Sequence, residues 1–413
     1  MHLAAHSETG LIAGARDAAP VRGLTHGFYK YPARFSPAFV RSAIEAFTEP
    51  GDLVLDPHVG GGTSLVEALV SGRNAVGVDI SALATFVAGV KTTIFSDAEL
   101  DRLQLWSKNV ANSISVKKSS TQFVEYAELG YYRHLNHRSR WRLRKAIEQG
   151  LCSAVRLGSH RLEAFGRCVT LRSAQWALDG RVKLPSFNEF REFLEITAGQ
   201  MLEGAHALRC AVRDNPHRPT VQIINRSAAG LENDQRLRNR KPPKLVVTSP
   251  PYPGVHVLYH RFQVDGRKES PLPFMIANRL DGSGSSYYTM GDRKYPGLAT
   301  YFANIKATMS SIAALADENT VIMQMVAFSE PGWQLDRYLE TMEESGLTEV
   351  FLSSLRGERD GRLWRSVPSR RWYSDQRGKT PASQEVVLIH RKADDQVRQP
   401  SEASWVASSI AAR

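Results

Sequence analysis

The sequence predicts an α/β fold, a mostly parallel sheet with helices on its faces, interrupted by one large helical insertion. Short, wholly apolar runs such as Leu53-Val54-Leu55 and Leu245-Val246-Val247 have the composition of strands buried on both faces. A glycine turn, Gly60-Gly61-Gly62, follows the first run and opens a helix, and a second strand then ends on Asp79, which is one β-α-β unit. From about Asp97 to Asp214 the alternation gives way to long helical periodicity, and it resumes at Val221.

Residues 1–20 are small, polar and rich in Gly and Ala, and are expected to form a flexible leader. Phe39, Val40, Ala43, Ile44 and Phe47 recur at helical spacing, so 37–47 reads as an amphipathic helix stopped by Glu49-Pro50-Gly51. Strands follow at 53–55 and 74–78, with a helix at 64–71 between them. After the insertion come strands at 221–224 and 245–247, a Gly/Ser-rich loop at 281–286 and a helix near 301–316. A strand at 321–326, a helix at 334–345, and strands around 349–352 and 385–389 complete the pattern. The division is therefore a leader (1–20), a first half (21–96), a helical insertion (97–215), a second half (216–393) and a flexible polar tail (394–413).

Lys plus Arg number 53 against 42 Asp plus Glu, a formal charge of +11, which favours a polyanionic partner because neutralised phosphates release counterions. The three cysteines, Cys152, Cys168 and Cys210, are too few and scattered for a disulfide framework or a Cys-rich zinc site. The N-terminus lacks a signal-peptide pattern, and no stretch reaches the ~20 apolar residues that span a bilayer. A soluble, cytoplasmic protein that engages no membrane is the expectation.

Three motifs carry chemistry. Asp56-Pro57-His58-Val59-Gly60-Gly61-Gly62-Thr63 lets the backbone turn tightly and approach a ligand that a Cβ would obstruct; alone, such a turn also suits a dinucleotide or a plain bend. Gly77-Val78-Asp79 places a carboxylate where it can accept both ribose hydroxyls of a nucleoside, so the pair points to an adenosine-containing ligand. Thr248-Ser249-Pro250-Pro251-Tyr252 ends a strand with two prolines that cannot continue a sheet. A side-chain acceptor, a fixed carbonyl and an aromatic ring suit a base turned out of its stack, while a packed Pro-Pro turn is the bland alternative.

Together these segments resemble the amino-group DNA methyltransferases, whose motifs are a DPFxGSGT cofactor loop and an [S/D/N]PP[Y/F/W] catalytic loop. The resemblance covers Gly27 to about Thr92 and Val221 to Lys392, and includes Tyr31-Pro32-Ala33-Arg34-Phe35, which is similar to the family's pocket-closing segment. Departures are His58 for the usual Phe, Gly61 for the usual Ser, and Asn225-Arg226-Ser227 where relatives often carry an acid. The resemblance implies a Rossmann-like sheet with an antiparallel last strand and S-adenosyl-L-methionine as cofactor. That cofactor would be held by Tyr31, Pro32, Phe35, Asp56, Pro57, His58, Gly60, Gly62, Thr63, Asp79, Ile80, Ser227 and Thr248, with no metal. It further implies direct methyl transfer at Ser249, Pro250, Pro251 and Tyr252. Serine in the first loop position goes mostly with cytosine N4 and aspartate with adenine N6, so N4 of cytosine is the expected target. An N6-adenine enzyme, an RNA base methyltransferase and an inactive DNA-binding subunit are the alternatives. Cytosine C5 chemistry needs a Pro-Cys nucleophile, and no cysteine here follows a proline.

Double-stranded DNA is the expected partner, with room for a cognate restriction nuclease or a defence-system partner. Arg138, Arg140, Arg142, Arg144 and Lys145, interleaved with Tyr131, Tyr132 and Trp141, can grip phosphates; a solvated helical face is the alternative. A second basic stretch contains Arg365, Arg370 and Arg371 and in the family's fold lies over the target base. His256 and His260 have the spacing of two ligands on one helical face but lack a third.

Overall fold

A computed structural model of the chain describes residues 3–19, 21–30, 35–118, 123–254, 261–264, 268–277, 288–291, 296–355, 360–366 and 384–393. The elements in order are α1 (Ala5–Arg16), α2 (Pro37–Phe47), β1 (Leu53–Asp56), α3 (Thr63–Val70), β2 (Asn74–Asp79) and α4 (Ala82–Lys91). The insertion supplies α5 (Asp97–Ser113), α6 (Phe123–Glu128), α7 (Trp141–Val155), α8 (His160–Leu178) and α9 (Phe187–Arg213). Then come β3 (Val221–Asn225), β4 (Leu245–Thr248), β5 (Phe262–Val264), β6 (Lys268–Ser270) and α10 (Leu272–Ile276). The chain continues with α11 (Ala299–Leu315), β7 (Val321–Ala327), α12 (Pro331–Glu344), β8 (Leu347–Glu349), β9 (Leu363–Ser366) and β10 (Gln384–Lys392).

The main sheet has the order β3-β2-β1-β4-β7-β10-β8, with β9 also on β10. All pairs from β3 to β7 are parallel, and β10 enters antiparallel between β7 and β8. The expected mostly parallel sheet with an antiparallel last strand is what forms. Its buried runs meet apolar side chains on both faces, with α11 and α12 on one and α1, α2 and α3 on the other. Because β1 is flanked by β2 on one side and β4 on the other, the connections diverge there and leave a crevice at the strands' C-terminal ends.

The helices α5, α7, α8 and α9 form a core of their own that runs onto Leu83, Val87 and Val90 of α4. Capping boxes at Ser96/Glu99 and Ser186/Glu189 start α5 and α9, satisfying the first-turn N–H groups. The small β5–β6 hairpin and α10, which follow the TSPPY segment in sequence, pack into this same helical core. Gly180 donates its N–H to Gln263, whose own N–H bonds the Asp179 carboxylate.

Three expectations are corrected. The N-terminal stretch is a helix, with Leu11 and Ala15 buried against α2 and the buried Glu8 carboxylate accepting the N–H groups of Ser353 and Ser354. The strand expected at 349–352 lies at Leu347–Glu349; one more bond to β10, from the Val350 N–H to the Ile389 carbonyl, follows before Leu352 turns into the core. Strand β9 arises from an Arg/Trp-containing stretch that reads as loop. The tail beyond residue 393 and the 281–286 loop lie outside the described residues. Among the described residues no helix is long and apolar enough to cross a membrane.

Candidate active site

Three loops meet at the crevice, after β1, β2 and β4. Asp56 ends β1 with almost no exposure, accepting the Ser64 hydroxyl, the His58 N–H at 3.1 Å and the Thr248 hydroxyl. Its carboxylate, expected to face the cofactor, is instead turned inward because the first turn of α3 and the end of β4 close over it. Burial pushes its pKa up to about 7, against hydrogen bonds that favour the ion. Thr248 is likewise fully buried, its Oγ1 3.0 Å from His58 Nδ1. His58 Nδ1 is engaged by this contact, and its second ring nitrogen is Nε2. That Nε2 is buried without a partner among the described residues, and burial lowers the imidazole pKa to about 3, keeping it neutral.

A pH dependence follows from Asp56. Its folded pKa lies above the ordinary carboxylate value, so the native state holds a proton that the unfolded chain has released between about pH 4 and 7. The group's contribution to stability is complete below that window and declines as pH rises through 7. Asp56→Asn keeps the acceptor for His58 and cannot ionise, so thermal melts from pH 5 to 8 should show a shallower loss of stability in the variant. Equal slopes would contradict the buried carboxyl.

The second loop is tied to the first. Asp79 accepts the Gly60 N–H at 2.9 Å on one oxygen and the Ser81 N–H at 2.8 Å on the other, holding a half-buried carboxylate at the crevice mouth. Ile80 is half-buried next to it, and Pro57 and Thr63 are buried on either side of the glycine turn. Ser227 is exposed and caps its own turn through the Ala229 N–H, whereas Asn225 donates to the Asp79 and Ile80 carbonyls. The sequence names Asn225 only as a departure from the family's acid and gives no sign of this tie, nor of Lys91, whose buried ammonium bonds the Gly61 carbonyl. Phe35 is buried against Phe39, while Tyr31 and Pro32 lie outside the described residues.

The third loop carries Ser249 to Tyr252. Tyr252 is buried; its hydroxyl donates to Glu385 Oε1 at 2.6 Å and accepts from Ser249 Oγ at 3.2 Å. The Pro251 carbonyl is held by the Tyr301 hydroxyl at 2.7 Å, and the Pro250 carbonyl takes no hydrogen bond from a described residue. Arg365 donates to the other Glu385 oxygen at 2.7 Å and is itself buried, so the expectation that it contacts DNA is corrected. Register explains why: Arg365 stands opposite Glu385 on β9 and β10, facing inward. Glu385 and Tyr301 left no local signal, since their role appears only when distant strands and helices meet.

The geometry can be set beside known proteins. Residues 15–85, which span the first two loops, match the model of the DNA methylase family. The chain is 30% identical over 100 residues to the Type II methyltransferase M.MjaII of Methanocaldococcus jannaschii, covering 24% of this chain and 19% of that protein. It is 35% identical over 82 residues to the Type II methyltransferase M.MvaI of Kocuria varians, covering 19% and 18%. Through this segment the chain is similar to the amino-group DNA methyltransferases. Each match spans about a fifth of the curated relative's length, and the family match ends before β4. Among solved structures, an rRNA methyltransferase, aviRa from Streptomyces viridochromogenes, covers 91% of this chain and 96% of its own at 11% identity. Its TM-score of 0.34 is too low to carry an argument.

The methyl donor of this methyltransferase family is S-adenosyl-L-methionine, and the crevice fits it. Asp79 stands at the mouth with a carboxylate able to accept a diol, and His58 Nε2 is a buried polar atom without a partner among the described residues.

In the insertion, Arg138 and Arg142 are exposed around Trp141, with the Arg142 guanidinium 5.4 Å from its ring centre. Arg140 bonds the His134 carbonyl. Arg144 bonds the Leu135 carbonyl over the Tyr132 ring, and Lys145 bonds the Val116 carbonyl at 2.7 Å. These last two are turned toward the flanking segments rather than presented to a partner, because α7 packs that side against them. Arg370, Arg371, His256 and His260 lie outside the described residues.

Proposed function

We propose that this protein is a DNA methyltransferase that methylates the exocyclic N4 of cytosine in a specific duplex sequence, after turning the base out of the helix. What carries the reading is Ser249-Pro250-Pro251-Tyr252 at the end of β4, across the crevice from a cofactor cradle. Bound S-adenosyl-L-methionine supplies an electrophilic sulfonium methyl. The protein's task is the nucleophile, because the amine lone pair is delocalised into the ring. Ser249 Oγ and the Pro250 carbonyl accept the two amine hydrogens and draw the nitrogen toward a tetrahedral form, with Tyr252 alongside. The choice of N4 rests on serine in the first loop position. Arg138, Arg140 and Arg142 around Trp141 supply phosphate contacts. The Type II names of the relatives support a place beside a sequence-specific nuclease.

Incubation of the full chain with radiolabelled S-adenosyl-L-methionine and unmethylated duplex DNA should label the DNA, and Tyr252→Ala should cut incorporation at least about a hundredfold. Mass spectrometry of the digested nucleosides should give N4-methylcytosine; N6-methyladenine would overturn the target. Wild-type rates in Tyr252→Ala would overturn the site.

A further inference from the structure

Glu385 contacts neither the cofactor cradle nor a surface, yet it is buried and bonded on both oxygens. An ionised carboxylate can only accept hydrogen bonds, and its second oxygen is occupied by a guanidinium that can only donate. At 2.6 Å the Tyr252 hydroxyl must therefore give its proton to Glu385. A phenol that has donated its one proton can only accept further, so at 3.2 Å the Ser249 hydroxyl must donate to it. The consequence is directional. A lone serine hydroxyl can either donate or accept, but this one has its proton directed at Tyr252 and its lone pairs left for another group. An amine that must be held through its hydrogens needs such an acceptor, and a serine pointing its proton outward would repel it.

We infer that Glu385 is a positioning residue which, through the Tyr252 hydroxyl, orients Ser249 as an obligate acceptor for the target amine. The inference rests on the function proposed above and deepens it. Arg365 belongs to the same device: it fixes the carboxylate so that Oε1 faces the phenol. The arrangement gives Tyr252 a role for its oxygen separate from any stacking by its ring.

Glu385→Gln tests the direction of the chain, since an amide can satisfy Arg365 with its oxygen only by presenting its NH2 to Tyr252. That donor reverses the chain, sends the Tyr252 proton toward Ser249 and turns the serine proton outward. In the full-length protein with duplex DNA and labelled S-adenosyl-L-methionine, kcat should fall about 10- to 100-fold while KM for both substrates changes less than about twofold. Tyr252→Phe keeps the ring and the Glu385–Arg365 pair and should lose a similar factor. Combined with Glu385→Gln it should be no slower than the worse single variant, because the link is already cut. Cofactor affinity by calorimetry should stay near wild type in Tyr252→Phe, and the variant should remain folded. Additive losses in the double variant, or wild-type kcat in Tyr252→Phe, would overturn the inference while leaving the methyltransferase reading intact. Absence of label in DNA with wild-type protein would overturn that reading and this inference with it.

Discussion

Gly62→Ala should weaken S-adenosyl-L-methionine binding by at least about tenfold and lower stability by about 2–4 kcal/mol, a fall in melting temperature of roughly 2–5 °C. Gly62 caps the start of α3 with φ at 72°, a left-handed conformation that costs an L-residue about 1–2 kcal/mol. A Cβ there would stand 2.9 Å from the Ala88 Cβ and 3.0 Å from its Cα. Neither atom is at the end of a flexible chain, so relief requires α4 to move away from the turn. That movement would displace the Asp79–Gly60 hydrogen bond, because α4 begins three residues beyond Asp79. Stability and cofactor affinity should therefore fall together. Gly199→Ala, in α9 with open space around the new methyl, is the control and should raise stability by about 0.5–1 kcal/mol. A melting temperature unchanged by Gly62→Ala would show that the turn is not clamped between β1 and α4.

The clamp was readable in the sequence because its parts are local. Apolar strands, three consecutive glycines and an acid at the next strand's end are signals within one β-α-β unit, and the fold places them as that unit requires. The same holds for the helical insertion, whose periodicity alone separated it from the sheet. Legibility ended where a side chain's direction depended on distant packing. Asp56 and Asp79 are both acids at strand ends, yet Ser64 and Thr248 enclose the first and leave the second at the mouth. The first sixteen residues carry too weak an apolar pattern to announce a helix; α1 is held by Glu8 on the chain near Ser353 and by its face on α2. Basic residues were the least legible, since an arginine on a helix or strand reads alike whether it meets a phosphate, a carbonyl or a carboxylate. Arg138 and Arg142 remain outward, while Arg144, Lys145 and Arg365 are engaged within the protein.

Arg365 turns that last distinction into a measurement. Arg365→Leu should destabilise the protein by about 3–5 kcal/mol, because it strands the Glu385 carboxylate in a site where both side chains are more than nine-tenths buried. It also removes the hydrogen bond to the Ala15 carbonyl that ties β9 to α1. Arg365→Leu with Glu385→Leu should recover a substantial part of the loss, since a buried pair costs less to replace as a pair than to halve. Urea melts of the two variants read this directly, with the double variant expected to unfold at higher urea than the single. A phosphate contact predicts the reverse pattern: unchanged urea midpoints, weaker DNA binding, and a salt dependence of affinity reduced by about one counterion. Equal midpoints for wild type and Arg365→Leu would return Arg365 to the DNA-facing role and remove the anchor from the Glu385–Tyr252–Ser249 chain. A large drop, partly reversed in the double variant, would fix Arg365 as the buried end of the hydrogen-bonded chain that reaches Ser249.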